Sequence, residues 1–142
     1  MLQTEIARIL NEIADMLDVI GDKFRPRSYR RAARAIENTS ADLVKLMEEG
    51  RLTSIPGVGE SIASKIEEFI QTGRIRYLDE LREKVPPGVA ELLRVPEVGP
   101  KTAMLLYQKL GVNSIDDLEA AAREHRIRGL KGMGPKTEEN IL

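Results

Sequence analysis

The feature that most constrains this chain is a short phrase written three times. It reads Ile-Pro-Gly-Val-Gly-Glu-Ser-Ile from Ile55, Val-Pro-Glu-Val-Gly-Pro-Lys-Thr from Val95, and Leu-Lys-Gly-Met-Gly-Pro-Lys-Thr from Leu130. Each copy joins an apolar residue to a turn ending in glycine (Gly59, Gly99, Gly134) and then to the start of a helix. In copy one, Ile62, Ile66, Phe69 and Ile70 follow at helical spacing. Such a join leaves the unpaired N–H groups of the helix's first turn beside glycines that carry no Cβ, so another molecule can approach the backbone closely. A phosphate suits that position. Pro100 and Pro135 stand at the first helical position, where a missing N–H costs nothing. Copy two departs at one point: Glu97 replaces the first hairpin glycine, and its carboxylate is expected to repel phosphate unless it points outward.

Together the three copies resemble the helix-hairpin-helix motif, a sequence-tolerant binder of DNA phosphates through backbone amides. That resemblance implies phosphate contacts at Gly57, Gly59 and Ser61 in copy one, Gly99, Lys101 and Thr102 in copy two, and Gly132, Gly134 and Lys136 in copy three.

Composition narrows the chemistry. With 142 residues, 42% of them apolar, the chain can form one domain or two small ones. No apolar run reaches a membrane span and no leader pattern opens the chain, so no membrane partner is expected and a cytoplasmic setting is the default. The absence of cysteine removes disulfides, thiolate metal sites and cysteine nucleophiles, and the single histidine, His125, cannot form a cluster. A formal net charge of −1 means that DNA binding must rest on local segregation of charge.

That segregation is visible. From Thr4 to Ile20, Ile6, Ile9, Leu10, Ile13, Leu17 and Ile20 recur at threes and fours, with Glu5, Glu12, Asp15 and Asp18 on the other face. After Gly21 the charge reverses: Lys23, Arg25, Arg27, Arg30, Arg31 and Arg34 follow with no acid after Asp22, and Tyr29, Ala32, Ala33 and Ile36 form a narrow apolar stripe. No carboxylate stands at i+4 to neutralise these arginines, so Arg25, Arg27, Arg30 and Arg31 are expected to contact phosphate.

The remaining segments also read as helices, so the fold class is all-α. Ser40 is expected to cap a third helix, Gly73 to end the first hairpin helix, Gly111 to end the second, and Ser114 to cap a helix through Glu124. Val85-Pro-Pro-Gly breaks the pattern and sets expected domains at 1–84 and 85–142. The last hairpin helix has barely begun at Leu142, so the chain reads as a fragment of something longer.

Phe-Arg-Pro-Arg-Ser-Tyr-Arg-Arg-Ala-Ala, then Ile-Pro-Gly-Val-Gly with Ile-Ala and Lys-Ile following, then Thr-Gly-Arg and Val-Gly-Pro-Lys-Thr-Ala, resemble the N-terminal part of a family X DNA polymerase of the bacterial and archaeal branch. The resemblance covers essentially the whole chain. It implies a small helical domain with deoxyribose-phosphate lyase architecture followed by a second, DNA-gripping subdomain. The implied partner is gapped, nicked or 5′-phosphorylated DNA in base excision repair, bound without sequence preference by a monomer associated with the nucleoid.

By that resemblance, the Schiff-base lysine falls on Lys65, a phosphate-side tyrosine on Tyr29, and a phosphate-binding cation on Arg25. Two further cationic positions fall on the uncharged Thr53 and Ser61, and a backup lysine position falls on Tyr77; a slower lyase is therefore expected. Glu68, one turn beyond Lys65, is a candidate base. Lyase chemistry needs no cofactor. The family also holds Na+ or K+ on hairpin carbonyls, which correspond to Thr53, Ile55 and Val58 in copy one and to Leu93, Val95 and Val98 in copy two. Magnesium belongs to a palm domain absent from this sequence, so polymerisation is not expected of it. Two other readings stay open: an architectural DNA binder without lyase activity, and a protein-docking bundle in which the glycine turns are simple connectors.

Overall fold

The structure, a computed structural model, describes residues 1–130 and 132–142; Lys131, in the third repeated phrase, lies outside the described residues. The chain is all-α, with no strand among the described residues. It divides into two compact units, Met1–Leu81 and Arg82–Leu142.

The first unit is built on α1 (Leu2–Val19) and α2 (Arg25–Asn38). α1 buries Ile6, Ile9, Leu10, Ile13 and Leu17, the residues its spacing selects. α2 contributes Tyr29, Ala32, Ala33 and Ile36, and the two alanines let its backbone come close to α1. Each fully buried Leu or Ile here contributes on the order of 1.5–3 kcal/mol. Between these helices the chain turns at Gly21, φ 92°, where the Gly21 N–H donates to the Asp18 carbonyl and the Asp22 N–H to that of Leu17.

α3 (Leu43–Glu48) corrects the sequence reading. Its cap is Asp42, whose carboxylate accepts the Lys45 N–H at 3.2 Å, and not Ser40. The Thr39 hydroxyl accepts the Ala41 N–H at 3.2 Å, a local turn that delays the helix start. A single 3₁₀ turn (Leu52–Ser54) then leads through the first hairpin into α4 (Glu60–Thr72), which stops at Gly73, φ 81°. α5 (Arg76–Lys84) buries Leu78 and Leu81 and runs across the division between the units.

In the second unit, α6 (Pro87–Leu92), α7 (Pro100–Leu110), α8 (Ile115–Arg123) and α9 (Pro135–Ile141) surround Val89, Leu92, Ala103, Leu106, Leu118, Ala121, Ala122 and Ile127. Ser114 caps α8 by accepting the Asp117 N–H at 2.9 Å. α8 ends with the same pair of bonds as α1, Arg126 N–H to the Ala121 carbonyl and His125 N–H to that of Ala122, but His125 at φ 60° stands where glycine usually does. His125 has another task. Its Nδ1 lies 2.7 Å from Oε1 of Glu138, a residue only 2% exposed, and the Arg128 guanidinium and backbone N–H complete the cage at 2.9 Å each. This cluster ties the loop after α8 to the first turn of α9.

Candidate functional site

The repeated phrase folds the same way each time. The Val58 N–H donates to the Ile55 carbonyl at 3.0 Å, Val98 to Val95 at 3.1 Å, and Met133 to Leu130 at 3.1 Å. The third residue of each turn is left-handed: Gly57 at φ 94°, Glu97 at 79° and Gly132 at 80°. In the first two copies this is a type II turn, with Pro56 and Pro96 at its second position. Gly59, Gly99 and Gly134 follow in extended conformation as helix N-caps with no side-chain cap bond, so none of them occupies the first-turn amides of its helix. Lys101 and Lys136 are exposed in the first turns of α7 and α9, and Thr102 is half-buried. The left-handed Glu97 places an exposed carboxylate in the turn that precedes the amides of α7.

The arginines of α2 are less uniformly available than their sequence suggests. Arg30 pairs with Asp15 at 2.9 Å and Asp18 at 2.7 Å, so its partners come from α1 across the packing interface and not from α2 itself. These aspartates, expected on the face of α1 opposite its apolar residues, are a counter-charge to Arg30. Arg25 pairs with Asp22 at 2.6 Å, while the other Asp22 oxygen accepts the Phe24 and Arg25 N–H groups at the start of α2. Arg27, Arg31 and Arg34 form no ion pair among the described residues. Arg31 lies beside the first hairpin, its Cγ 3.4 Å from where a Cβ on Gly57 would stand.

One face of the first unit gathers the remaining chemistry. Lys65 on α4 is half-buried, and its Nζ donates to the Ser61 hydroxyl at 3.0 Å, one turn back. The same nitrogen sits 4.8 Å from the ring centre of Tyr77 on α5. That ring stacks on Tyr29 of α2, centroids 6.4 Å apart and planes 21° from parallel, and the Tyr77 hydroxyl accepts from Arg25 at 2.9 Å. Burial lowers the Lys65 pKa, the Glu68 charge raises it, and the Arg25 charge lowers it again; the balance falls below the ordinary lysine value. Burial, more than its neighbours, pushes the Tyr29 hydroxyl up to about 12.

With its pKa raised, the Tyr29 hydroxyl is a phenol at neutral pH and can donate a hydrogen bond. Glu68 accepts the Arg76 N–H at 3.0 Å and Arg76 Nε at 3.3 Å, which points its carboxylate toward the α4–α5 turn. The structure brings Lys65, Tyr29, Ser61 and Arg25 together and leaves Arg27 and Arg30 outside that cluster. Tyr77 had been read only as a missing amine; an aromatic residue opposite a lysine on the next helix is a signal that one sequence does not expose. Among the described residues, no group of three or more His, Asp or Glu side chains could hold a metal ion, and no helix is long and apolar enough to cross a membrane.

The profile of the helix-hairpin-helix domain matches residues 1–75. The chain belongs to the helix-hairpin-helix family. A second helix-hairpin-helix profile, the SAM-like tandem, matches residues 89–142, so the second and third hairpins fall within one tandem. The helix-hairpin-helix chain is 34% identical over its full length to DNA polymerase/3′-5′ exonuclease PolX of Bacillus subtilis (strain 168), covering 25% of that protein. It is 33% identical over 82% of its length to DNA polymerase lambda of Rattus norvegicus, covering 20% of it, and 29% identical over 83% to DNA polymerase lambda of Arabidopsis thaliana, covering 22%. It thus spans about a quarter or less of the curated relatives it matches. The resemblance to the N-terminal region of family X polymerases is borne out.

Proposed function

We propose that this chain binds gapped or 5′-phosphorylated DNA during repair, and that its first unit is a deoxyribose-5-phosphate lyase acting through Lys65. Relatives that are DNA polymerases support the DNA partner. The observation that carries the chemistry is a half-buried lysine amine whose pKa is lowered, held by Ser61 and Tyr77 beside Arg25 and Tyr29. An imine-forming amine has to give up its proton, and burial lowers the cost of doing so.

In the proposed reaction, neutral Lys65 attacks the aldehyde carbon of an incised abasic sugar, and loss of water leaves an iminium ion. The iminium acidifies the neighbouring sugar C–H. Water, or Glu68 after release from Arg76, takes that proton; the electron pair forms a C=C bond and the 3′ phosphate leaves with the C–O electrons. Water then hydrolyses the iminium and restores the amine. The Tyr29 phenol and Arg25 hold the 5′-phosphate, Arg25 exchanging Asp22 for it, and Arg31 and the amides after Gly57 and Gly59 hold the backbone next to it. Phe24, 84% exposed beside Arg25, offers a ring on which a base can stack. The second and third hairpins contact further phosphates through Gly99, Lys101, Thr102, Gly132, Gly134 and Lys136.

No cofactor enters this step. The carbonyls of Thr53, Ile55 and Val58, and of Leu93, Val95 and Val98, can accept Na+ or K+; those of Ile55 and Val95 already take one turn N–H and keep a second lone pair. Replacing these ions with tetramethylammonium should weaken DNA binding if the sites are used. The reading as a whole is tested by affinity for gapped duplexes with a 5′-phosphate or a 5′-hydroxyl. Preference for the phosphate, reduced in Arg25→Ala, supports it; equal affinity contradicts it, and no binding to either favours a protein-docking bundle.

A further inference from the structure

Tyr77 meets three side chains of this face through its own atoms: its ring faces Lys65 and stacks on Tyr29, and its hydroxyl accepts from Arg25. It stands where the related lyases were expected to carry a spare amine, so its effect on Lys65 is opposite in kind. A second ammonium would repel the Lys65 charge. An aromatic face attracts it. We infer that Tyr77 is a positioning residue for Lys65, its ring holding the lysine nitrogen in place while cationic and its hydroxyl fixing Arg25 beside it.

The charge on this nitrogen is set by a small group. Arg25 from α2 opposes it, Glu68 on α4 favours it, and the Ser61 hydroxyl and the Tyr77 ring are its two direct contacts. Tyr29, whose ring stacks on Tyr77, is a neutral phenol at working pH. The ring therefore offsets part of what burial and Arg25 take away. Its attraction persists when the nitrogen changes from ammonium to iminium, because the positive charge remains. On the lyase reading of the preceding subsection, on which this last point rests, Tyr77 would stabilise the intermediate from which elimination occurs.

The direct test is the Lys65 titration, followed by NMR on the whole chain labelled with ¹³C-lysine and assigned by the signal lost in Lys65→Arg. Tyr77→Leu should lower the Lys65 pKa by about half a unit relative to the parent, equivalent to about 0.7 kcal/mol and within the range of exposed cation–π pairs. Tyr77→Phe should keep it at or slightly above the parent value, because the ring is retained and only the hydroxyl's hold on Arg25, whose charge lowers the Lys65 pKa, is lost. The parent alone gives a second reading that does not depend on any variant folding: ring current from Tyr77 should move the Lys65 ε-methylene protons upfield of the other lysines. An unchanged pKa in a folded Tyr77→Leu, or ordinary ε-methylene shifts in the parent, overturns the inference. Neither measurement requires lyase activity. Failure of the parent to form a borohydride-trapped adduct would instead count against the lyase reading, while the titration still decides the role of Tyr77.

Discussion

Glu97 holds a backbone conformation that glycine holds in both other copies, and an L side chain there costs roughly 1 kcal/mol. It also adds a carboxylate to a turn whose neighbours would otherwise attract anions. The two effects can be separated. Glu97→Gln keeps the strain and removes the charge, so it should tighten DNA binding a few-fold with Tm unchanged; Glu97→Gly should do the same and raise the Tm of the second unit by about 4–8 °C. Isothermal binding and thermal unfolding of both variants check this, and a Glu97→Gly protein no more stable than the parent would contradict it. The sequence shows the substitution, but not that the turn demands a left-handed residue; that requires seeing Gly57, Glu97 and Gly132 superpose in φ.

At the scale of elements, the two clearest dependences lie in the second unit. Burial would raise the Glu138 carboxyl, yet the hydrogen bonds from His125 and Arg128, the Arg128 N–H and the Arg128 charge together bring it down to about 2 from an ordinary 4.5. A depressed carboxyl adds stability that is present above the unfolded value and is lost as pH falls through the folded one. The thermal stability of this unit should therefore fall as pH drops from about 4.5 to 2, and Glu138→Gln should lower Tm at pH 7 and flatten that segment of the profile. An equally steep acid profile in the variant would place the dependence elsewhere. Gly88 is constrained by space instead: a Cβ there would stand 1.8 Å from the Asn113 carbonyl oxygen. Gly88→Ala should cost about 1–3 kcal/mol, measurable by urea unfolding, while Gly129→Ala, with nothing nearer than 4.0 Å, should cost far less. The helices themselves were legible because apolar spacing and terminal glycines act within one element. The Asp42 cap was missed because Thr39 offers its hydroxyl to Ala41 first, a competition between neighbouring side chains that composition does not rank.

Across the whole molecule, the legible part of the site was the part written locally: three turns, a basic helix and one lysine. What was not legible depends on pairs distant in sequence. Asp15 and Asp18 neutralise Arg30, Asp22 occupies Arg25, and Tyr77 meets Lys65, Tyr29 and Arg25 only after α5 has packed. A net charge of −1 then predicts binding governed by these local groups, with little base discrimination because backbone amides and arginines address phosphates. Affinity for gapped duplexes of several sequences should be nearly equal and should fall linearly with the logarithm of salt concentration, each neutralised phosphate adding about 0.9 to the slope on duplex DNA. A flat salt response or a strong base preference would contradict that. The central claim, that Lys65 is the nucleophile, is tested most directly by borohydride trapping on an incised abasic duplex in the presence of EDTA. The account predicts a covalent protein–DNA adduct in the parent that is largely lost in Lys65→Ala and in Lys65→Arg, the latter retaining DNA affinity. An adduct as abundant in Lys65→Ala as in the parent would make another amine the nucleophile, and no adduct in either would leave an architectural DNA binder.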